Sequence, residues 1–160
     1  MTGSDWSLAG GDKTGAGQHS FKDCLTKSSS NKVVWNLPFE VTFRSMTPHG
    51  WPQLVLYCTS KNSDGHDFVR AYGCTHVPIA PGVTKKDVRM FTPLAQNRCL
   101  EFFGIFHDGK GMVIDDPELI AKGQGREVAR VKAGGKVKVQ IHTTQRNFER
   151  HGYLSETIKK

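Results

Sequence analysis

The stretch Arg126-Glu127-Val128-Ala129-Arg130-Val131-Lys132-Ala133-Gly134-Gly135-Lys136-Val137-Lys138-Val139-Gln140-Ile141 decides how this chain is read. Val137, Val139 and Ile141 alternate with Lys136, Lys138 and Gln140, the period of two that puts one face of a strand against a core and the other in water. Ahead of them Glu127, Ala129 and Val131 alternate with Arg126, Val128, Arg130 and Lys132, and Ala133-Gly134-Gly135 supplies turn residues between the two runs. The pattern predicts a hairpin with one apolar and one basic face. Arg130, Lys132, Lys136 and Lys138 then stand together on the outer face, where their mutual repulsion relaxes against an anionic partner. Strand Lys and Arg also keep a sheet soluble and discourage edge pairing, so both readings stay open.

Working back towards the N-terminus, short β-rich runs follow one another between turn residues, the spacing of an antiparallel sandwich. Residues 33–36 read as a strand ended by Leu37-Pro38, and residues 40–44 alternate Val41 and Phe43 with Glu40, Thr42 and Arg44. Residues 54–59 follow as a more buried run. After the turn cluster Asn62-Ser63-Asp64-Gly65 comes a long strand over residues 68–77, closed by Pro78, whose missing N–H suits a strand end. Pro81-Gly82 turns into a further strand over residues 83–91. Residues 100–106 and 117–122 are the least strand-like; the second opens with Asp115-Asp116-Pro117-Glu118, an acidic start with proline in the first turn that suits a short helix. The expected class is all-β, with one or two short helices in the connections.

Residues 1–31 differ in composition, with no Val or Ile and, after Met1, only Trp6, Leu8, Phe21 and Leu25 as larger apolar groups. They read as a loop or tail, in which residues 20–27 can add an edge strand. Residues 32–154 read as the domain and residues 155–160 as a short basic tail. The 160 residues carry 22 Lys and Arg against 15 Asp and Glu, a formal charge of +7 that favours an acidic partner: anionic lipid, nucleic acid or protein. The longest apolar run, residues 54–58, is far short of the roughly 20 residues of a membrane-spanning helix, and no secretory signal opens the chain. Cys24, Cys58, Cys74 and Cys99 are scattered, which reads as free thiols in a reducing compartment.

Catalytic and ligand motifs are thin. Cys74-Thr75-His76 puts a thiol and an imidazole on one strand face, but no second pair at ligand spacing accompanies it. Asp64 and Asp67 flank one loop and Asp115 and Asp116 another, without the clustered oxygens calcium needs. There is no Gly-x-Ser-x-Gly elbow, and Gly123-Gln124-Gly125 resembles a phosphate loop only in its first two glycines, with Val128 where a third belongs. Aromatic residues are not interleaved with Lys and Arg as on a nucleic-acid platform, and Trp35, Trp51 and Phe43 read as core plugs. No catalytic residue, cofactor, metal or nucleic acid is expected.

A collinear set of motifs carries a resemblance. Val34-Trp35-Asn36-Leu37-Pro38-Phe39-Glu40-Val41-Thr42-Phe43, Gly50-Trp51-Pro52-Gln53-Leu54, Val69-Arg70-Ala71-Tyr72-Gly73, His76-Val77-Pro78, Met90-Phe91-Thr92-Pro93, Gly123-Gln124-Gly125-Arg126-Glu127-Val128 and Gly152-Tyr153 together resemble the B9-domain family. The resemblance implies a C2-like antiparallel β-sandwich without enzymatic activity, in which Trp35, Trp51, Pro52, Tyr72, Gly73, Pro78, Gly125, Arg126, Glu127, Gly152 and Tyr153 are motif positions of the fold. It implies a scaffold part of the Meckel syndrome (tectonic-like) complex at the ciliary transition zone and basal body. The partners implied are other B9 proteins, with consequences for ciliogenesis and Hedgehog signalling. Cytoplasm and cytoskeleton are the compartments that go with it, and an anionic membrane surface is the alternative partner of the basic face. Family members carry a further hydrophobic strand region ahead of the segment that Gly3-Ser4-Asp5-Trp6 resembles, to which this chain shows no counterpart, and residues 96–113 diverge from the family pattern.

Overall fold

Six strands and one short helix form among the described residues of the structure, a computed structural model in which residues 2–20, 33–62, 64–94, 114, 117–122, 130–148, 150 and 152 are described. The class expected from the sequence holds: two antiparallel sheets and little helix among these residues, as in all-β sandwich proteins. The chain divides into two units, residues 2–50 and residues 51–160.

In the first unit β1 (Trp6–Gly11) pairs antiparallel with β2 (Val41–Ser45), Trp6 opposite Ser45 and Leu8 opposite Phe43, with a register shift between Leu8 and Gly10. β1 lies in the stretch that reads as loop or tail. Its sequence has no β-branched residue, and what makes it a strand is the partner: Val41 and Phe43 alternate on β2, and the Phe43 ring meets Trp6 edge-on at 6.4 Å. Gly11 adopts φ 78°, and a Cβ there would collide with the Glu40 carbonyl, so glycine closes this ladder. Bonds from Gly3 N to Gly50 O (2.9 Å) and from Trp6 Nε1 to His49 O (2.7 Å) tie the start of β1 to the turn after β2.

The strand expected over residues 33–36 does not form. Asn36 sits at φ 27° and Pro38 offers no N–H, so residues 33–40 run irregularly, with Trp35 45% and Leu37 50% exposed. Trp35 is therefore no core plug. The suggested edge strand over residues 20–27 lies, apart from Ser20, outside the described residues.

The second unit is a four-stranded meander in the order β3 (Gln53–Lys61), β4 (Asp67–His76), β5 (Gly82–Pro93), β6 (Val131–Thr143), with α1 (Pro117–Lys122) between the last two in sequence. The helix is the one that its acidic, proline-bearing start predicts; residues 100–106, the other piece read as least strand-like, lie outside the described residues. The β3–β4 turn is closed by Asn62 N to His66 O and Gly65 N to Asn62 O, both 2.9 Å, with Gly65 at φ 81°.

Tyr72 sits at the centre with no exposed surface. Its ring meets Tyr57 at 5.4 Å and Phe91 at 6.1 Å, and its hydroxyl accepts the Ile114 amide at 2.9 Å. On the neighbouring face Val88 and Met90 are buried, and the absent side chain of Gly73 leaves the room they occupy: a Cβ there would meet the Met90 sulfur and lie 3.1 Å from Val88 Cγ1. Trp51, expected as a core plug, is half-buried. Its Nε1 donates to Val77 O (2.8 Å) and its ring meets Phe148 edge-on at 6.2 Å.

The predicted basic hairpin is not formed. Val131–Thr143 is one continuous strand that runs straight through Ala133-Gly134-Gly135 and pairs along its length with β5. Arg89 faces Lys136 while Phe91 faces Ala133, so Gly134 and Gly135 both stand opposite Met90. The two glycines form a β-bulge and not a turn. A Cβ on Gly134 would lie 3.1 Å from the Met90 carbonyl oxygen, a close approach that glycine permits. Of the first arm, expected over residues 126–132, residues 126–129 lie outside the described residues.

Candidate interaction surface

The β5–β6 ladder sorts its side chains by alternation. Val88 faces Val137, Lys86 faces Val139 and Thr84 faces Ile141 along one side. Arg89 faces Lys136, Asp87 faces Lys138 and Lys85 faces Gln140 along the other, and all six of these are exposed. Cross-strand neighbours in such a ladder have Cβ atoms about 5 Å apart, and same-face neighbours along a strand are about 7 Å apart. Four cations, Lys85, Arg89, Lys136 and Lys138, therefore surround the single carboxylate of Asp87, a local excess of three positive charges. Lys86, on the opposite side, donates instead to His76 O at 2.8 Å.

The extra residue of the bulge reverses the alternation on its far side. Lys132 pairs with Thr92, which belongs to the side of Val88 and Met90, and Arg130 follows two residues on, its carbonyl accepting the Leu94 amide at 2.8 Å. All four residues of the sequence-derived set are exposed, but the register keeps only Lys136 and Lys138 together and puts Arg130 and Lys132 on the other side of the sheet. The reason is the glycine pair read as a turn. Lys85 and Arg89 were missed because no local pattern ties them to a strand about 50 residues further on.

Of the motif positions, Pro52, Tyr72 and Gly73 are buried, Trp51 and Pro78 half-buried, and Gly152 takes φ 77° in a turn. Trp35 is exposed; Gly125, Arg126, Glu127 and Tyr153 lie outside the described residues, as do Asp115 and Asp116. Cys74 Sγ donates to Ile120 O at 3.4 Å, and the His76 ring nitrogen Nε2 meets the Gln53 amide nitrogen at 2.9 Å, so the two side chains are directed to separate neighbours. Cys58 and Cys74 are free thiols, and burial pushes that of Cys58 up from its ordinary value. Among the described residues no three His, Cys, Asp or Glu side chains group as metal ligands, and no helix is long and apolar enough to cross a membrane.

With the sheets and their exposed faces in place, the comparisons with known proteins give the lineage. The B9-C2 family model, described as "Ciliary basal body-associated, B9 protein", matches residues 1–144. The chain belongs to the B9 family. The match takes in β1 as well as the four-stranded sheet. The chain is 35% identical over 151 residues to B9 domain-containing protein 1 of Xenopus laevis, covering 94% of this chain and 74% of the relative. The human protein of that name is 36% identical over 151 residues, covering 94% and 72%. B9 domain-containing protein 2 of Rattus norvegicus is 30% identical over the same length, covering 94% and 82%. No solved structure matches. As a B9 protein the chain is a member of a ciliary family, whose description gives a place in the cell and no reaction.

Proposed function

We propose that this B9 protein is a non-enzymatic scaffold of the Meckel syndrome (tectonic-like) complex at the ciliary transition zone. It binds other B9 proteins there, supports ciliogenesis and the ciliary diffusion barrier, and thereby affects Hedgehog signalling. The observation that carries the reading is the extent of the likeness: 94% of the chain aligns with B9 domain-containing proteins 1 and 2 alike. Domains related over their whole sheets present related edges and faces, the elements through which β-rich modules add strands or stack. Co-expression with one B9 domain-containing protein 1 and one B9 domain-containing protein 2 tests it. A complex of fixed stoichiometry that survives gel filtration supports the reading, and separate elution from both removes it.

A second reading is favoured by the four cations around Asp87. A face carrying Lys85, Arg89, Lys136 and Lys138 suits adhesion to an anionic membrane at the ciliary base, each cation contributing on the order of 1 kcal/mol near such a surface. That adhesion weakens sharply with salt, whereas a strand-edge or apolar protein contact persists. Sedimentation with phosphatidylserine vesicles at low and high ionic strength distinguishes the two; binding that ignores salt removes the lipid reading.

A further inference from the structure

We propose that Thr47 is a phosphorylation site for a proline-directed kinase, and that its phosphate releases β1 from the turn that holds it. Two threonines in the chain precede a proline, and the fold treats them oppositely. Thr92 lies within β5, its hydroxyl donating to Arg70 O at 2.8 Å and Pro93 buried behind it. Thr47 lies in the exposed turn after β2, next to Met46, which is 86% exposed, and every residue from 46 to 50 is exposed. Pro48 biases Thr47 towards extended backbone, the conformation in which a kinase reads its substrate.

The Thr47 hydroxyl donates to Asp5 Oδ2 at 3.2 Å, and Asp5 immediately precedes β1. The same turn receives Gly3 N through Gly50 O and Trp6 Nε1 through His49 O. Phosphoryl transfer from ATP forms the bond from Thr47 Oγ1 to the γ-phosphorus and breaks that phosphorus's bond to the β–γ bridging oxygen. The hydroxyl proton passes to the kinase's carboxylate base and ADP leaves. The esterified Oγ1 has no proton to give Asp5, and the phosphate sets a charge of about −1.5 to −2 beside its carboxylate, so attraction becomes repulsion. β1 is half of a sheet that is two-stranded among the described residues, an arrangement that is marginal on its own, so a local repulsion suffices to open it.

The folded chain, incubated with a proline-directed kinase and Mg-ATP, supplies the test, with mass spectrometry for the site and amide hydrogen exchange for the strand. Phosphate is expected on Thr47 and not on Thr92, with the Trp6–Gly11 amides exchanging about tenfold faster and β3–β6 unchanged. In the phosphorylated D5N variant the repulsion is reduced and exchange falls back towards that of the unmodified chain. T47V, which loses the hydrogen bond without gaining charge, accelerates exchange less than phosphate does. No phosphate at Thr47 in the folded chain, equal labelling of Thr92, or unchanged exchange in β1 after phosphorylation overturns the proposal. Undiminished exchange in phosphorylated D5N does so too.

Discussion

Replacing Tyr72 by phenylalanine deletes one oxygen from the most enclosed side chain of the four-stranded sheet and tests what that oxygen does. The ring stays against Tyr57 and Phe91, at centroid distances of 5.4 and 6.1 Å, so the apolar contacts are kept. What goes is the acceptor 2.9 Å from the Ile114 amide, in a site with no exposed surface. The amide is half-buried, so losing this bond costs about 0.5–1.5 kcal/mol. Replacing the same residue by alanine also removes the ring and leaves a void, for about 3–5 kcal/mol. Urea unfolding followed by tryptophan fluorescence should place Y72F between the parent and Y72A in midpoint, and hydrogen exchange should show the Ile114 amide less protected in Y72F. Y72F within about 0.5 kcal/mol of the parent, with Ile114 still protected, would mean that the hydroxyl anchors nothing. Y72A costing no more than Y72F would remove Tyr72 from the core.

Further expectations follow from the same geometry. G73A puts a methyl against Val88 Cγ1 and the Met90 sulfur and should cost about 1–3 kcal/mol in the same unfolding assay, a loss that M90A in the same chain makes less than additive. Neutralising Lys136 or Lys138 to Gln should weaken sedimentation with phosphatidylserine vesicles about fivefold each, as should Lys85 or Arg89, whereas neutralising Arg130 or Lys132 should change it much less; equal effects from the two sets would contradict the bulge. Cys58, its thiol pushed up by burial, should alkylate more slowly at pH 8 than in the urea-unfolded chain. Its sign is fixed: the folded state holds the thiol proton more tightly, so this contribution to stability is complete below the unfolded thiol's range and is lost as pH rises through the folded value.

The parts of this fold that can be read from sequence are those written in short-range alternation. β3, β4 and β5 each announce themselves by a run of apolar and β-branched residues between turn signals, and α1 by its proline and acidic start. β1 does not, because Trp6-Ser7-Leu8-Ala9-Gly10-Gly11 has no intrinsic preference for a strand and acquires one only by pairing with β2. Gly134-Gly135 misleads for a related reason: the same freedom of backbone suits a turn or a bulge, and only Met90, over 40 residues earlier, selects the bulge. The basic face inherits that ambiguity. One inserted residue divides the four cations of the linear pattern into two sides and brings in Lys85 and Arg89, which only strand pairing places beside Lys136 and Lys138. Trp35 shows the limit of residue type as a guide to burial, since Asn36 and Pro38 keep its segment out of any ladder.

The scaffold reading rests on what this B9 protein holds in the cell, and affinity capture measures that most directly. The chain, tagged and expressed near its natural level in ciliated cells, is recovered and its companions quantified by mass spectrometry against a tag-only control. The account predicts enrichment of other B9 proteins together with further transition-zone components. Recovery of the chain at full yield with neither would contradict it.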